Sequence, residues 1–292
     1  MIKLFWNTQN QKNDPNNKED RALIWGKYHS DYSKEWIYEI LNKIQYEKIA
    51  NEKDIESGDI LIIVDSSVEQ KSQLYEKLQL VCSKMFLIHL GDEHGTYNLE
   101  SVYNNFIYVW RTFCSSKYFN NDKIRCFGIG YKSGIIPVKE ISKRKYKWAF
   151  MGTPHKSSRH DLLFQLSSIK PSFSHKTKKF NEGILNSKEM NEILASTEFV
   201  PCPNGFVHPE TYRLYEALES GCIPIVENAY KYYDRLYPHN PFLKIDKWEE
   251  AKSIILKWDS KKIEKKQEEC KLWWNQYKNE LQEFIKKKLS DE

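Results

Sequence analysis

The sequence predicts an α/β protein built as two similar-sized halves, each a parallel sheet with helices on both faces. Three observations lead there. Short apolar runs alternate with helix-period segments along most of the chain. Some runs are almost continuous, as in residues 59–64, which suits strands buried on both faces. The alternation breaks once, at residues 131–146, and then resumes. A chain of 292 residues is long enough for two cores of ordinary domain size.

Taken in order, residues 2–6 read as a strand. Residues 33–50 carry Trp36, Ile40, Ile44 and Ile49 at near-helical spacing behind Ser33, a capping residue, and predict a helix. Residues 59–64, after Gly58, form the next strand; 68–84 are helical, with Leu74, Leu78 and Val81 on one face. Strands follow at 85–90, 105–110 and 124–129. Lys132-Ser-Gly-Ile-Ile-Pro137 and the basic run Lys143-Arg-Lys-Tyr-Lys147 mark a linker. Beyond it come strand 148–151, helix 158–169, strand 172–175, helix 187–196, strand 198–201, helix 210–220 and strand 222–226. The expected domains are 1–135 and 146–258, followed by a C-terminal helix over 259–292. In that helix Trp273, Trp274, Tyr277, Leu281 and Phe284 are interleaved with Lys and Glu. Its aromatic face is expected to pack back on the first domain; the alternative is a peripheral helix lying on anionic lipid.

Composition narrows the function classes. A 40% hydrophobic and 14% aromatic content describes a folded protein. The net charge of +5 suits a phosphate-bearing ligand or an anionic membrane surface. No basic stripe or module for nucleic acid is present, so no nucleic-acid partner is expected. The first residues turn polar after Trp6 and do not read as a signal peptide, and no run reaches the ~18 apolar residues of a membrane span. The expected location is cytoplasmic, at most peripheral at the inner membrane face. Six scattered cysteines without a C-x-x-C pair are expected to be free thiols, with Cys202–Cys222 the one pairing to check.

The chemistry concentrates in residues 199–227. They read as a strand, a Pro/Gly loop, a helix entered through Pro209-Glu210-Thr211, a stop at Gly221 and a second strand. A loop opening onto a helix N-terminus suits an anion such as a diphosphate. Glu210 and Arg213, three apart, would share the first-turn face: a carboxylate for ribose hydroxyls, a guanidinium for phosphate oxygens. The plainer alternatives are an acid complementing the helix dipole and a surface ion pair. Asn204-Gly205 stands where backbone would approach a phosphate or base closely, or simply turn. Arg159 opens the helix after Gly152-Thr-Pro-His-Lys-Ser-Ser158, with His155 and Lys156 beside it, and would set a cation above the loop. In the first half, Asp92, Glu93 and His94 follow strand 85–90 at its carboxyl end, between Gly91 and Gly95. They suit a proton acceptor or hydroxyl ligand, or an ordinary acidic turn; His29 and Asp31 are the alternatives. Tyr230, Tyr232, Tyr233 and Tyr237 follow the signature; packing accounts for most of them and none is assigned.

Pro209-Glu-Thr-Tyr-Arg-Leu-Tyr-Glu-Ala-Leu-Glu-Ser-Gly-Cys-Ile-Pro-Ile-Val226 resembles the C-terminal signature of exostosin-like glycosyltransferases. Related patterns occur in fucosyltransferases and in the ribitol xylosyltransferase group. Lys147-Trp-Ala-Phe-Met-Gly-Thr-Pro154, followed by Arg159, is similar to the strand that opens such a domain. Leu90-Gly-Asp-Glu-His94, Tyr108-Val-Trp-Arg111 and Phe127-Gly-Ile-Gly-Tyr-Lys132 are similar to N-terminal-domain landmarks. The resemblance implies a GT-B fold, two Rossmann-like domains facing a central cleft. It implies transfer of a sugar from a nucleotide-sugar donor to a hydroxyl of a glycan, polyol-phosphate or lipid-linked acceptor. A UDP-sugar is the favoured donor and GDP-fucose the alternative. Arg159, Asn204, Gly205, Glu210, Thr211 and Arg213 would bind the donor, and Asp92 or Glu93 would be the base of an inverting reaction. No Asp-x-Asp occurs, so neither an essential metal nor another cofactor is expected. The rivals are a sugar-nucleotide epimerase and a non-catalytic nucleotide- or glycan-binding subunit.

Overall fold

The computed structural model describes residues 1–6, 32–140, 143–178 and 183–291. It divides into two units. The first is Met1–Ile129 with Gln282–Glu292, the second Gly130–Leu281. The division thus falls a few residues before the expected end of the first domain.

In the first unit a six-stranded, all-parallel sheet runs β2-β1-β3-β4-β5-β6. Its strands are Ile2–Phe5 (β1), Glu47–Ile49 (β2), Ile60–Asp65 (β3), Lys84–His89 (β4), Tyr108–Arg111 (β5) and Ile124–Cys126 (β6). Residues 32–40 (α1), Ser72–Gln79 (α2) and Glu100–Tyr103 (α3) are helical. The predicted helix over 33–50 therefore stops early. Its last residues pair with β1 instead, Lys3 opposite Glu47, because Ile49 gains a buried place on the sheet. Alternate residues of the central strands fill the two faces, as period-2 geometry requires. Leu61, Ile63, Leu87 and Val109 pack with Tyr75, Val102 and Phe106. Ile62, Phe86, Ile88 and Trp110 are equally buried.

The second unit repeats the plan with a five-stranded parallel sheet, β11-β10-β9-β7-β8. The strands are Tyr146–Gly152 (β7), Ser172–Lys176 (β8), Thr197–Cys202 (β9), Ile223–Glu227 (β10) and Leu243–Ile245 (β11). The helices are Arg159–Leu166 (α4), Ser187–Ala195 (α5), Tyr212–Glu219 (α6), Tyr232–Leu236 (α7), Trp248–Lys257 (α8) and Ser260–Ser290 (α9). Trp148, Phe150, Leu162, Phe199, Ile225 and Trp248 centre one core layer. Asn186 caps α5 reciprocally with Glu189, and Gly221, at φ +64°, ends α6 in the left-handed conformation expected there. The basic run before β7 does more than link. Arg144 donates to the carbonyls of Leu194, Ala195, Ser220 and Gly221, so one buried guanidinium caps the C-terminal ends of α5 and α6 together.

α9 belongs to the second unit up to Leu281 and to the first from Gln282. Trp274 is buried and stacks on Tyr277, with Tyr215 5.8 Å away. That aromatic face therefore packs on side chains of the second unit, Tyr215, Tyr237 and Phe242. Among the described residues no helix is long and apolar enough to cross a membrane.

The cysteines correct the expectation of free thiols. Cys114, just beyond β5, is bonded to Cys126 on β6. Cys202 and Cys222 are free and buried, their thiols turned to different carbonyls, those of Val200 and Leu194. Spacing along the chain could not reveal the pair, because adjacency in the sheet is what brings it together.

Candidate functional site

In both sheets the chain leaves the first strand, forms a neighbour on one side, then crosses to the other. The reversal lies between β1 and β3 in the first unit and between β7 and β9 in the second. In such sheets the loops beyond the carboxyl ends at the reversal splay apart and leave a crevice for ligands. In the second unit those loops are 153–158, leading into α4, and 203–211, leading into α6. The second loop carries four of the predicted donor-binding residues, Asn204, Gly205, Glu210 and Thr211. The other two, Arg159 and Arg213, stand in the first turns of the helices that follow, close enough for their charges to interact.

Arg213 lies in the first turn of α6. Its Nη2 donates to the Met151 carbonyl at 2.8 Å, and its guanidinium carbon sits 4.8 Å from the centre of the Phe150 ring. This reach depends on Gly152, at φ +142°, where an added Cβ would stand 2.9 Å from Nη2. Arg159, first residue of α4, donates through Nη1 to the Thr153 carbonyl at 3.1 Å. Burial first, then the neighbouring Arg213 charge, lower its pKa to about 10, with Glu227 opposing the fall. Burial lowers the pKa of Arg213 as well. Two guanidiniums depressed in this way are poised to gain from an anion.

Unsatisfied groups point the same way. Among the described residues, buried Arg159 Nε, Arg213 Nη1, Asn204 Oδ1 and Thr211 Oγ1 have no hydrogen-bond partner. A buried polar atom left unpaired costs about 1–3 kcal/mol, so four at the start of α4, along the loop into α6 and in its first turn call for a polar occupant. Asn204 is fixed through its backbone, whose N–H donates to Glu227 at 2.8 Å. Thr211 is the residue that precedes α6, and its hydroxyl makes no capping bond. At Gly205 a Cβ would fall 2.5 Å from the His208 carbonyl, so the glycine answers to the turn itself. His155 is exposed, and the Lys156 ammonium lies 5.5 Å from the Phe206 ring centre.

Glu210 differs from the expectation of an open first-turn carboxylate. It precedes α6 and is 3% exposed. Tyr215 donates to one carboxylate oxygen and Tyr232, at 2.8 Å, to the other. The sequence pattern started the helix two residues too early, at Glu210 rather than Tyr212, and so gave this residue a first-turn place it does not have. The carboxylate with spare capacity is Glu216, one turn beyond Arg213 and 7% exposed. Burial raises its pKa, while Arg213 and Lys132 pull it down. Among the described residues no hydrogen bond is donated to its carboxylate, only to its backbone carbonyl, from the Ser220 amide. Its spacing of three from Arg213 was the signal that could have found it.

In the first unit Asp92 also proves committed. It sits at φ +63°, its Oδ1 accepting from the Thr96 amide at 3.0 Å and its Oδ2 lying 3.3 Å from Arg111 Nη2. Both side chains are shut off from solvent. Arg111 also donates to Tyr103, whose hydroxyl is 2.7 Å from His89 Nδ1. Both oxygens of Asp92 are thus engaged, one by the turn amide and one by Arg111. Gly91, against Ser66 O, leaves no room for a Cβ. The half-exposed Glu93 follows on this braced turn. Sequence reasoning missed Glu69, just past β3. Burial, then the charges of Asp65 and Asp92, raise its pKa. His29 and Asp31 lie outside the described residues. Among the described residues no three His, Cys, Asp or Glu side chains gather as a metal site.

Comparison with known proteins follows the same lines. The model of the RXYLT1 C-terminal domain family matches residues 135–292, which takes in both loops. Ribitol-5-phosphate xylosyltransferase 1 of Danio rerio is 28% identical over 164 residues, 50% of this chain and 38% of that protein. The match thus spans well under half the length of that curated relative. An α1,3-fucosyltransferase crystal structure is similar at a TM-score of 0.55 and 15% identity, covering 99% of this chain and 90% of that one. Anabaena Alr3699/HepE, crystallised in complex with UDP and glucose, is similar at 0.55 and 10% identity, covering 99% of each. These likenesses give the fold as GT-B. The chain belongs to the RXYLT1 C-terminal domain family, within the exostosin-like group that its residues 209–226 resemble.

Proposed function

We propose that this chain is a glycosyltransferase that moves a sugar from a nucleotide-sugar donor to a hydroxyl of a glycan or polyol-phosphate acceptor. The observation that carries the reading is the pair Arg159 and Arg213, neighbouring charges at the sheet reversal, each with a buried guanidinium nitrogen that has no partner. The donor diphosphate binds there, with Asn204 and Thr211 completing the polar wall. Glu216 accepts from the ribose hydroxyls, and Glu210 holds the loop in place. As the sugar leaves, charge develops on the diphosphate. Fixed cations and the N-terminus of α6 stabilise that charge without a metal. Transfer is inverting, and Glu93 or Glu69 of the first unit accepts the proton of the attacking hydroxyl. A UDP-sugar is the favoured donor, in keeping with the exostosin-like signature.

The test is a thermal-shift panel of UDP, GDP, CMP and ADP, each with and without EDTA. A ligand at 100 times its Kd adds about 2.7 kcal/mol of stability, so the right nucleotide stands out. A UDP shift indifferent to EDTA is the expected result. A GDP shift would move the donor to GDP-fucose, and no shift with any nucleotide would sink the transferase reading.

A further inference from the structure

The second unit ends its site in an aromatic that nothing in the fold uses. Tyr230 lies three residues beyond β10 and is 85% exposed. Its backbone is left-handed, at φ +55°, and so is that of Lys231, at φ +52°. For residues with a side chain this conformation is unfavourable, and it persists where the surroundings over-determine it. Here they do. Tyr232 and Tyr233 donate to Glu210 and to the Pro209 carbonyl, Arg235 donates to the Tyr230 carbonyl, and Asn240 donates to the Tyr233 carbonyl. The buried contacts of the 208–210 segment thus hold up a ring that faces water.

Where it is held matters. β10 pairs with β9, Val226 opposite Cys202, so the loop carrying Tyr230 emerges next to the loop carrying Asn204. Glu227 ties the two by accepting from the Asn204 N–H. Phe206, 75% exposed, stands on that same neighbouring loop. The carboxyl edge is therefore cationic at the β7–β9 end and aromatic at the β9–β10 end. A ligand with a diphosphate at one end and a flat ring at the other matches this order of charges and faces.

We propose that Tyr230 is the platform on which the base of the donor nucleotide stacks. The proposal rests on reading the β7–β9 loops as a diphosphate site. Stacking on an aromatic is tolerant of base identity, so Tyr230 supplies affinity for a nucleotide rather than the choice among bases.

Calorimetric titration of the full chain with UDP, GDP and inorganic pyrophosphate separates the two layers. For the nucleotide that binds more tightly, Tyr230→Ala is expected to weaken Kd about tenfold. Pyrophosphate binding should be unchanged, and Tyr230→Phe should bind nucleotide as the wild type does. Tyr230→Gly removes the ring and the left-handed strain together, and keeps the test open should Tyr230→Ala fold poorly. Arg213→Met should weaken nucleotide and pyrophosphate alike. Wild-type nucleotide affinity in Tyr230→Ala, with Arg213→Met impaired, would overturn the stacking role and leave the diphosphate site standing. An equal loss of nucleotide and pyrophosphate in Tyr230→Ala would also overturn it, since the ring would then act through the fold of the loop. Wild-type protein that binds neither ligand would remove the site itself, and the proposal with it.

Discussion

Tyr232 donates its phenolic hydrogen to Glu210 at 2.8 Å across a chain separation of 22 residues. Tyr215, from within α6, donates to the other carboxylate oxygen. The loop before α6 and the start of α7 are thus pinned to one buried charge. Hydrogen bonds to a charged group are worth about 1.5–3 kcal/mol each. Glu210→Ala should therefore cost about 3 kcal/mol or more, and Tyr232→Phe roughly half of that. Thermal or urea melts followed by circular dichroism measure both. A Glu210→Ala melt that overlays the wild type would mean that the carboxylate does not anchor the loop.

The Arg111–Asp92 pair makes a different kind of prediction, because it divides a structural carboxylate from reactive ones. Removing one partner of a buried ion pair costs about 3–5 kcal/mol, since the other charge is left unpaired. Arg111→Met should be destabilised by that order. Glu69→Gln should melt at or above the wild type at pH 7, since burial makes its charge costly there, and neither it nor Glu93→Gln should show the loss expected of Arg111→Met. One of the two glutamine variants should lose about 10²–10⁴ in kcat, the usual contribution of a general base. If Glu69 is the base, its raised pKa also fixes the sign of the pH profile. The base works deprotonated, so kcat falls on the acid side, at a pH above the ordinary glutamate range. Full transfer activity in both variants would place the base outside these two residues.

Much of this architecture was legible in the sequence, because a doubly wound sheet writes a strong alternating pattern. The β7 and β9–α6–β10 segments were found within a residue or two, so that Arg159, Asn204, Thr211 and Arg213 could be assigned to the carboxyl ends of β7 and β9 and the helices that follow. What failed did so for local reasons. Ile44 and Ile49 kept helical spacing past residue 40, yet a free edge beside β1 recruited residues 47–49 into the sheet. Glu210 looked exposed because Pro209 signals a helix start, whereas Thr211 is the true boundary. The partners that bury it, Tyr215 and Tyr232, and the one that occupies Asp92, Arg111, are close only in space. Cys114 and Cys126 were hidden for the same reason.

Glu216 should show opposed effects on stability and binding. Burial raises its pKa above that of the unfolded chain, so the native state binds more protons between the two values. Stability then falls as pH rises from the unfolded value through the folded one, and the cost persists at neutral pH. Glu216→Gln removes the charge and keeps the shape. Its melting temperature should exceed that of the wild type at pH 7, and the gap should close as pH falls below about 4.3. The same variant should bind nucleotide more weakly, since a carboxylate accepts from two ribose hydroxyls better than an amide. A variant that is both less stable at pH 7 and equal in nucleotide affinity would remove Glu216 from the site.

The Cys114–Cys126 bond is open to a chemical count. In denaturant without reductant, alkylation should label Cys82, Cys202, Cys222 and Cys270 and spare the other two, as intact mass would reveal. After reduction all six should react. The bond closes a loop with a sequence separation of 12 between the end of β5 and β6, beside the Arg111 network. Closing a loop of this order removes unfolded-state entropy worth about 3 kcal/mol. Cys114→Ser should therefore lower the melting point of the first unit by roughly 6–12 °C, at 2–4 °C per kcal/mol. Added reductant should shift the wild type in the same direction and leave the variant unmoved. Six labelled thiols before reduction would return these cysteines to the free state that a reducing compartment favours, and with them the expectation that composition alone supported.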